Sequence, residues 1–386
     1  MVETRWLRWV GPGIVALAGI VLIGSATVGA GARTWSPGPC AGSRTDETAS
    51  ARATIPGTPH DLAAAPWFRL DPVAADDGSL RGERLVLGLF GDALTRTLDL
   101  PAEAFAAGPF GGTVLTGADD GSTSRLELVD VARGCSWVVA TERDVIRRAT
   151  VDADGASVYE MRVDRATRAD LGIWRRSLRD ASSAERILAP ISADARFGIT
   201  FSTELAWDLA GDRLVVQSCG EFACRTRIFD PHDGAVATLD APDLGLLVGV
   251  DGDRVVTYAD CHGLPCPIIS TNLATDTRTV VAEAAGAATL VRGASGAAVV
   301  IEQDTASGHA VRSIALDGSD SSDAVSVPPD LELTGTPWSG TSSTRLPPGW
   351  VLLAPDGRLS GDPNDHRSQL RHIPDGTTVQ LDEATR

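Results

Sequence analysis

The chain has 386 residues, 43% hydrophobic and 22% charged, an ordinary composition for a folded protein of one large or two smaller domains. Its 34 basic residues, all arginine, face 51 acidic ones, for a formal charge of −17. That balance excludes nucleic acid as a partner, because phosphate binding needs a basic stripe, and it fits a solvated acidic surface.

The N-terminus carries Arg5 and Arg8 ahead of an uncharged run of 24 residues, Trp9 to Ala32, closed by Arg33. A run of that length can span the roughly 30 Å hydrocarbon layer of a membrane. Ala30-Gly31-Ala32 is also an A-x-A site at which a signal peptidase could cut. Both readings export the rest of the chain, since the positive flank stays inside. Residues 1–32 are thus expected to be a transmembrane anchor or a signal peptide, with the remainder membrane-tethered or secreted. Cys40, in "SPGPC", lacks the small apolar residues that precede a lipidated cysteine. Residues 33–79 are rich in Ala, Pro, Ser, Thr and Asp without a sustained period, and read as a spacer.

From Leu80 to the C-terminus the text repeats. A short apolar run leads each unit: "ERLVLGLF", "GTVLTG", "ASVYEMRV", "DRLVVQS", "DRVVTYA", "AAVVIEQ" and "GWVLLA". A second run follows each, then a tight turn such as "VARG" or "LDGSD", and in most units a third run. The runs are four to eight residues long, rich in Val, Leu and Ile, and bounded by Gly, Asp, Pro and Ser, so they are strands. No segment after the N-terminus keeps a helical period over three turns. The expected fold is all-β.

Groups of three or four strands recurring every 40–50 residues or so are the signature of propeller blades. Seven groups begin near Leu85, Val114, Val158, Leu214, Val255, Val299 and Val351. Their uneven spacing leaves six or eight blades open. Ring closure is favoured physically, because each sheet buries its faces against its neighbours and no end blade is left exposed.

"LAWDLAGDRLVVQS" and "LLAPDGRL" resemble the W-S-P-D-G-x-x-I/L-A-F stretch of TolB-like, or WD40-like, propeller repeats. In the better copy Asp208 and Leu209 replace the Ser and Pro. The resemblance implies a β-propeller over 80–386; a propeller by itself does not fix function.

The six cysteines follow the repeat. Cys219 and Cys224 close and open successive runs of one blade, and Cys261 and Cys266 do the same 42 residues later. Residues flanking a short hairpin loop face each other at about 4.5–5.5 Å between Cα atoms, within disulfide reach. In an oxidising compartment these are hairpin staples, each contributing about 2 kcal/mol in the loop-entropy model. The rival is a four-thiolate zinc site, with His262 as a spare ligand. A redox C-x-x-C fails on spacing. Cys40 and Cys135 remain, paired by exclusion or, through Cys40, between molecules. Their long loop is worth about 4–5 kcal/mol in the same model.

Catalytic spacings are scarce. There is no H-E-x-x-H, P-loop or G-x-S-x-G. His60, His232, His262, His309, His366 and His372 share no ligand spacing. The clusters around Asp152 and Asp154, in "DPHDG", and at Asp362, Asn364 and Asp365 read as turn chemistry rather than calcium loops. Trp137, Trp174 and Trp207 read as packing between blades. No catalytic residue, cofactor or metal is therefore assigned. Two classes remain: a non-catalytic module binding a protein or glycan of the cell envelope, or a hydrolase or lyase with paired carboxylates at the channel. Carboxylates converging with His or Arg in the channel favour the second.

Overall fold

The computed structural model describes residues 37–40 and most of 66–381. Residues 1–36, 41–65, 75–79, 191–201, 232–238, 260–264, 334–348, 356–367 and several shorter connections lie outside the described residues. The apolar run Trp9–Ala32 is among them. The chain divides into two units, 1–34 and 35–386, and all described residues belong to the second.

Every described element is a β-strand, and the strands form seven sheets. They span 66–101, 105–142, 145–188, 202–242, 246–285, 288–326 and 331–381, here blades 1 to 7. Each is an antiparallel meander in chain order, with four strands in blades 2 to 7 and three described in blade 1. Blade 2 gains a fifth strand, Gly38–Pro39, lying parallel to its last strand, Cys135–Glu142. The first strands of successive blades approach one another at the 1–2, 2–3, 3–4 and 5–6 junctions, so the first strand of each blade is the innermost.

Seven apolar clusters among the described residues fill the seven junctions. Leu85 and Leu87 of blade 1 meet Val114 and Val129 of blade 2. Leu115 and Leu126 then meet Val151 and Val158, and Tyr159 and Ile173 meet Leu214 and Phe229. Val215 and Ile228 meet Val250 and Val255, Val256 and Ile268 meet Val299 and Ile301, and Val300 and Val311 meet Val351 and Leu353. The ring shuts where Trp67 and Val86 of blade 1 pack on Trp350, Leu352 and Leu370 of blade 7. Among the described residues blade 1 comes from 66–101 and blade 7 from 331–381, and side-chain packing joins the two.

The seven apolar runs that lead the sequence groups are the second strands of the blades. Val255 and Val256 show why they read as continuous apolar text. Side chains alternate across a strand, so one faces blade 4 and the other blade 6, and both faces are buried.

Two boundaries expected from sequence change. Pro66–Ala74 is the inner strand of blade 1, paired along Leu80–Leu89 from Pro66↔Leu89 to Ala74↔Leu80, so the propeller begins before residue 80. Gly38–Pro39 also belongs to a sheet, so the segment 33–79 is not all spacer. Pro66 and Pro72 hid the strand, since proline cannot donate to a ladder; an inner strand has one open edge and tolerates it. At Gly88 a Cβ would stand 2.5 Å from the Trp67 ring, so only glycine lets that indole lie flat against the second strand.

Candidate functional site

Aspartates fix the hairpins between first and second strands. In blade 3, Asp152 Oδ1 accepts the amides of Ala156 and Ser157 at 2.7 and 3.2 Å. In blade 4, Asp208 Oδ1 accepts those of Gly211, Asp212 and Arg213 at 2.8, 2.9 and 3.1 Å. Both carboxylates are buried, and each is followed three residues on by a glycine in the left-handed region, Gly155 or Gly211. Asp208, which replaces serine in the repeat motif, is thus a turn cap. Of the other aspartate clusters, Asp233, Asp362, Asn364 and Asp365 lie outside the described residues.

A second set of polar side chains stitches blades 2, 4 and 6 to the inner strand of the next blade. Gln217 Oε1 accepts Leu247 N at 2.8 Å while its amide donates to Thr226 Oγ1 at 2.7 Å and Gly245 O at 3.0 Å. Glu302 accepts Leu333 N at 2.6 Å, and its other oxygen lies 3.0 Å from His309 Nε2. Ser124 Oγ accepts Ile146 N at 3.1 Å and donates to Asp119. Asp119 also takes both terminal nitrogens of Arg165, at 2.9 and 2.6 Å, from blade 3. That guanidinium, first among the causes, holds the Asp119 carboxyl down at about 2.

The most buried charges lie between blades 2 and 3. Glu160, with no exposed surface, receives Nε of Arg162 at 2.8 Å and Nε of Arg176 at 2.9 Å. Glu142 of blade 2 receives the same two guanidinium groups, from Arg162 at 3.1 Å and from Arg176. Trp174 lies beneath Arg162, 4.8 Å from ring centroid to guanidinium carbon. Two acids and two bases balance, so no net charge is left in the junction. Trp207 is buried edge-on against Tyr159 at 5.2 Å, and Trp137 packs on the blade 2–3 core.

The cysteines stand apart from these groups. Cys219 and Cys224 face each other across their hairpin, 2.04 Å apart at sulfur and 4.0 Å at Cα. Cys40 and Cys135 are joined, with Cα atoms 5.0 Å apart, beside the short parallel strand. Cys266, buried at the start of the third strand of blade 5, is disulfide-bonded; Cys261 and His262 lie outside the described residues. No cysteine is free and no group of His, Cys, Asp or Glu suits a metal among the described residues. His372 sits 2.8 Å from Asp375 in a hairpin, and His60, His232 and His366 lie outside the description.

The inner strands hold the remaining charges of interest. Glu204, on Ser202–Trp207 of blade 4, makes no hydrogen bond or ion pair among the described residues. Burial pushes its carboxyl pKa up, and the nearby Arg148 charge acts in the opposite direction with smaller effect. Arg148 belongs to Val145–Val151, the inner strand of blade 3. Sequence reasoning missed this pair, because 56 residues separate them and neither lies in a motif.

No family model matches the chain, and no curated protein matches it in sequence. Solved structures match it in fold. TolB from Acinetobacter baumannii is 14% identical, covering 69% of this chain and 64% of that one, with a TM-score of 0.43. A prolyl endopeptidase is 13% identical over 87% of this chain and 53% of its own, with a TM-score of 0.52. An oligogalacturonate lyase from Vibrio parahaemolyticus is 10% identical over 83% and 87%, with a TM-score of 0.48. The chain spans less than two thirds of the length of the first two. It resembles TolB-like propellers, and at these identities the likeness is one of fold.

Proposed function

We propose that the chain is an exported, membrane-tethered or secreted β-propeller that acts as a non-catalytic binding module for a protein or glycan of the cell envelope. The observation that supports this reading is the placement of its acids. Asp152 and Asp208 cap turns, Asp119 and Glu302 join blades, and Glu160 is neutralised by two arginines. Acid–base chemistry on a glycoside needs two carboxyl groups about 5–9.5 Å apart across a substrate, and these acids are committed elsewhere. The paired cysteines fit an oxidising compartment.

Two measurements test the reading. A reporter active only outside the cytoplasm, fused after Arg386, is expected to be active. The tagged full chain, cross-linked in living cells, is expected to join one discrete envelope component, with no turnover of glycoside or ester substrates by the purified protein. Turnover above background, or reporter activity confined to the cytosol, overturns it.

A further inference from the structure

The bonded cysteines differ in burial and in what surrounds them. Cys219, Cys224 and Cys266 are buried, at 5%, 8% and 1% exposure, whereas Cys40 and Cys135 are both partly exposed. Cys219 and Cys224 end a hairpin paired without a break from Leu214↔Phe229 to Cys219↔Cys224, with Val215, Val216, Ile228 and Phe229 buried along it. Opening that bond leaves its two strands hydrogen-bonded and packed.

Cys40 has no such support. Gly38 and Pro39 are exposed, and no residue of 37–40 joins an apolar cluster. Pro39 has no amide hydrogen to give; Cys40 N donates to Ser136 O at 3.0 Å, beside a parallel pairing of two residues. The disulfide is the main hold on this strand, because ordering its backbone costs more entropy than a few exposed hydrogen bonds return. The other end is firm, since Cys135–Glu142 pairs along the whole of Ser124–Asp130. The turn leading into Cys135 also carries a positive charge. Arg96 donates to Val131 O at 3.1 Å and Ala132 O at 3.4 Å, with its guanidinium against Gly134, while Arg133 and Asp130 offset each other.

We propose that Cys40–Cys135 is a thiol–disulfide exchange site, opened by a dithiol reductant and coupled to release of residues 37–40 from blade 2. A thiolate of the reductant attacks Cys40 Sγ. The protein S–S bond breaks, a mixed disulfide forms, and Cys135 leaves as a thiolate, which the nearby positive charge favours, and takes up a proton. The reductant's second thiolate then attacks its own sulfur in the mixed disulfide, and Cys40 leaves in turn. The protein gains two electrons and two protons, and the reductant departs as its disulfide. Gly38–Pro39 then loses the tie that holds it beside Cys135–Glu142, and the first hold of the amino-terminal side on the propeller moves to Pro66 in blade 1. Redox state thus sets the length of the link between the ring and whatever precedes Cys40.

The site stands apart from the envelope-binding reading, and its failure leaves that reading intact. The purified full chain, without denaturant, is titrated with dithiothreitol, alkylated with a maleimide and mapped by mass spectrometry. Cys40 and Cys135 are expected to label together at about tenfold or more lower reductant than Cys219, Cys224 and Cys266, with an unchanged circular dichroism spectrum. In that state the Cys40 amide is expected to exchange hydrogen about tenfold or more faster than in the oxidised chain. A double variant, Cys40→Ser with Cys135→Ser, is expected to fold and to show the same fast exchange at position 40 with no reductant present. The proposal fails if the buried cysteines label as early, or if exchange at position 40 is the same with and without the bond. It fails equally if opening this one bond, by reductant or by the double substitution, unfolds the propeller.

Discussion

Gln217 Oε1 accepts the amide hydrogen of Leu247 at 2.8 Å, carrying one hydrogen bond from the second strand of blade 4 to the inner strand of blade 5. The side chain is 1% exposed, so its partners have no water to fall back on. Gln217→Leu is expected to leave the Leu247 amide and the Gly245 carbonyl without their partner, at a cost of about 1–3 kcal/mol. Chemical denaturation reads this directly, and an unchanged midpoint would remove the stitch from the account of blade 4–5 cohesion.

The Glu160 cluster predicts a larger effect. Glu160→Gln removes one charge of four and leaves Arg162 and Arg176 sharing only Glu142. Breaking a buried pair from one side costs about 3–5 kcal/mol, whereas its replacement as a set by apolar residues can be neutral. The single substitution should therefore destabilise more than a combined apolar replacement of all four residues. Equal losses in the two variants would contradict this.

Closure of the ring rests on Trp67 and its glycine neighbour. Trp67→Ala should cost about 3–5 kcal/mol through the cavity left against Trp350 and Leu370. Gly88→Ala should cost about 1–3 kcal/mol by forcing the indole off the strand. Thermal denaturation of both variants checks the pair. A neutral Gly88→Ala would show that the junction has slack.

Acid should loosen blades 2 and 3 through Asp119. Its pKa is about 2 in the folded chain against an ordinary 3.8, so the folded state favours the ionised form. The stabilisation is fully present above pH 4 or so and is lost as pH falls through 2. Asp119→Asn should be less stable than wild type at neutral pH, with the gap closing between pH 4 and 2. A gap that stays constant in that window would separate Asp119 from the acid response.

Peptide mapping without reductant should recover Cys219 with Cys224, and Cys266 with Cys261, each within a short peptide. Replacing Cys219 and Cys224 together by Ser should cost about 2 kcal/mol, and Cys40 with Cys135 about 4–5 kcal/mol, following the lengths of the closed loops. Cross-blade linkages, or a metal removable by chelator, would refute the staple reading of blade 5.

What could be read from the sequence depended on how many faces of a strand are buried. Leu85, Val114, Val158, Leu214, Val255, Val299 and Val351 all lie in strands covered on both sides, and their unbroken apolar text announced the blades. The inner strands were harder. "FAAGPF" and "VIRRATV" carry glycine, proline or arginine because one edge borders the channel, so no simple alternation marks them. The turn role of Asp152 was legible in "DADG", since an Asp–Gly hairpin is a local event, whereas that of Asp208 emerged only from its hydrogen bonds. The nearness of Arg148 to Glu204 was not legible, because it arises from the packing of two blades whose residues lie 56 apart in sequence.

The Cys40–Cys135 bond changes what the stretch between blade 2 and the amino terminus is in a topological sense. With that bond formed, residues 40–135 are one covalent loop, and whatever precedes Cys40 is attached to blade 2 as well as to the chain that follows it. A protease that cuts once within 41–65 yields two polypeptides that migrate as one until a reductant is added. The same cut in a Cys40→Ser variant frees everything before it. The thiol balance of the compartment thus decides whether a single cut there leaves one covalent body or two.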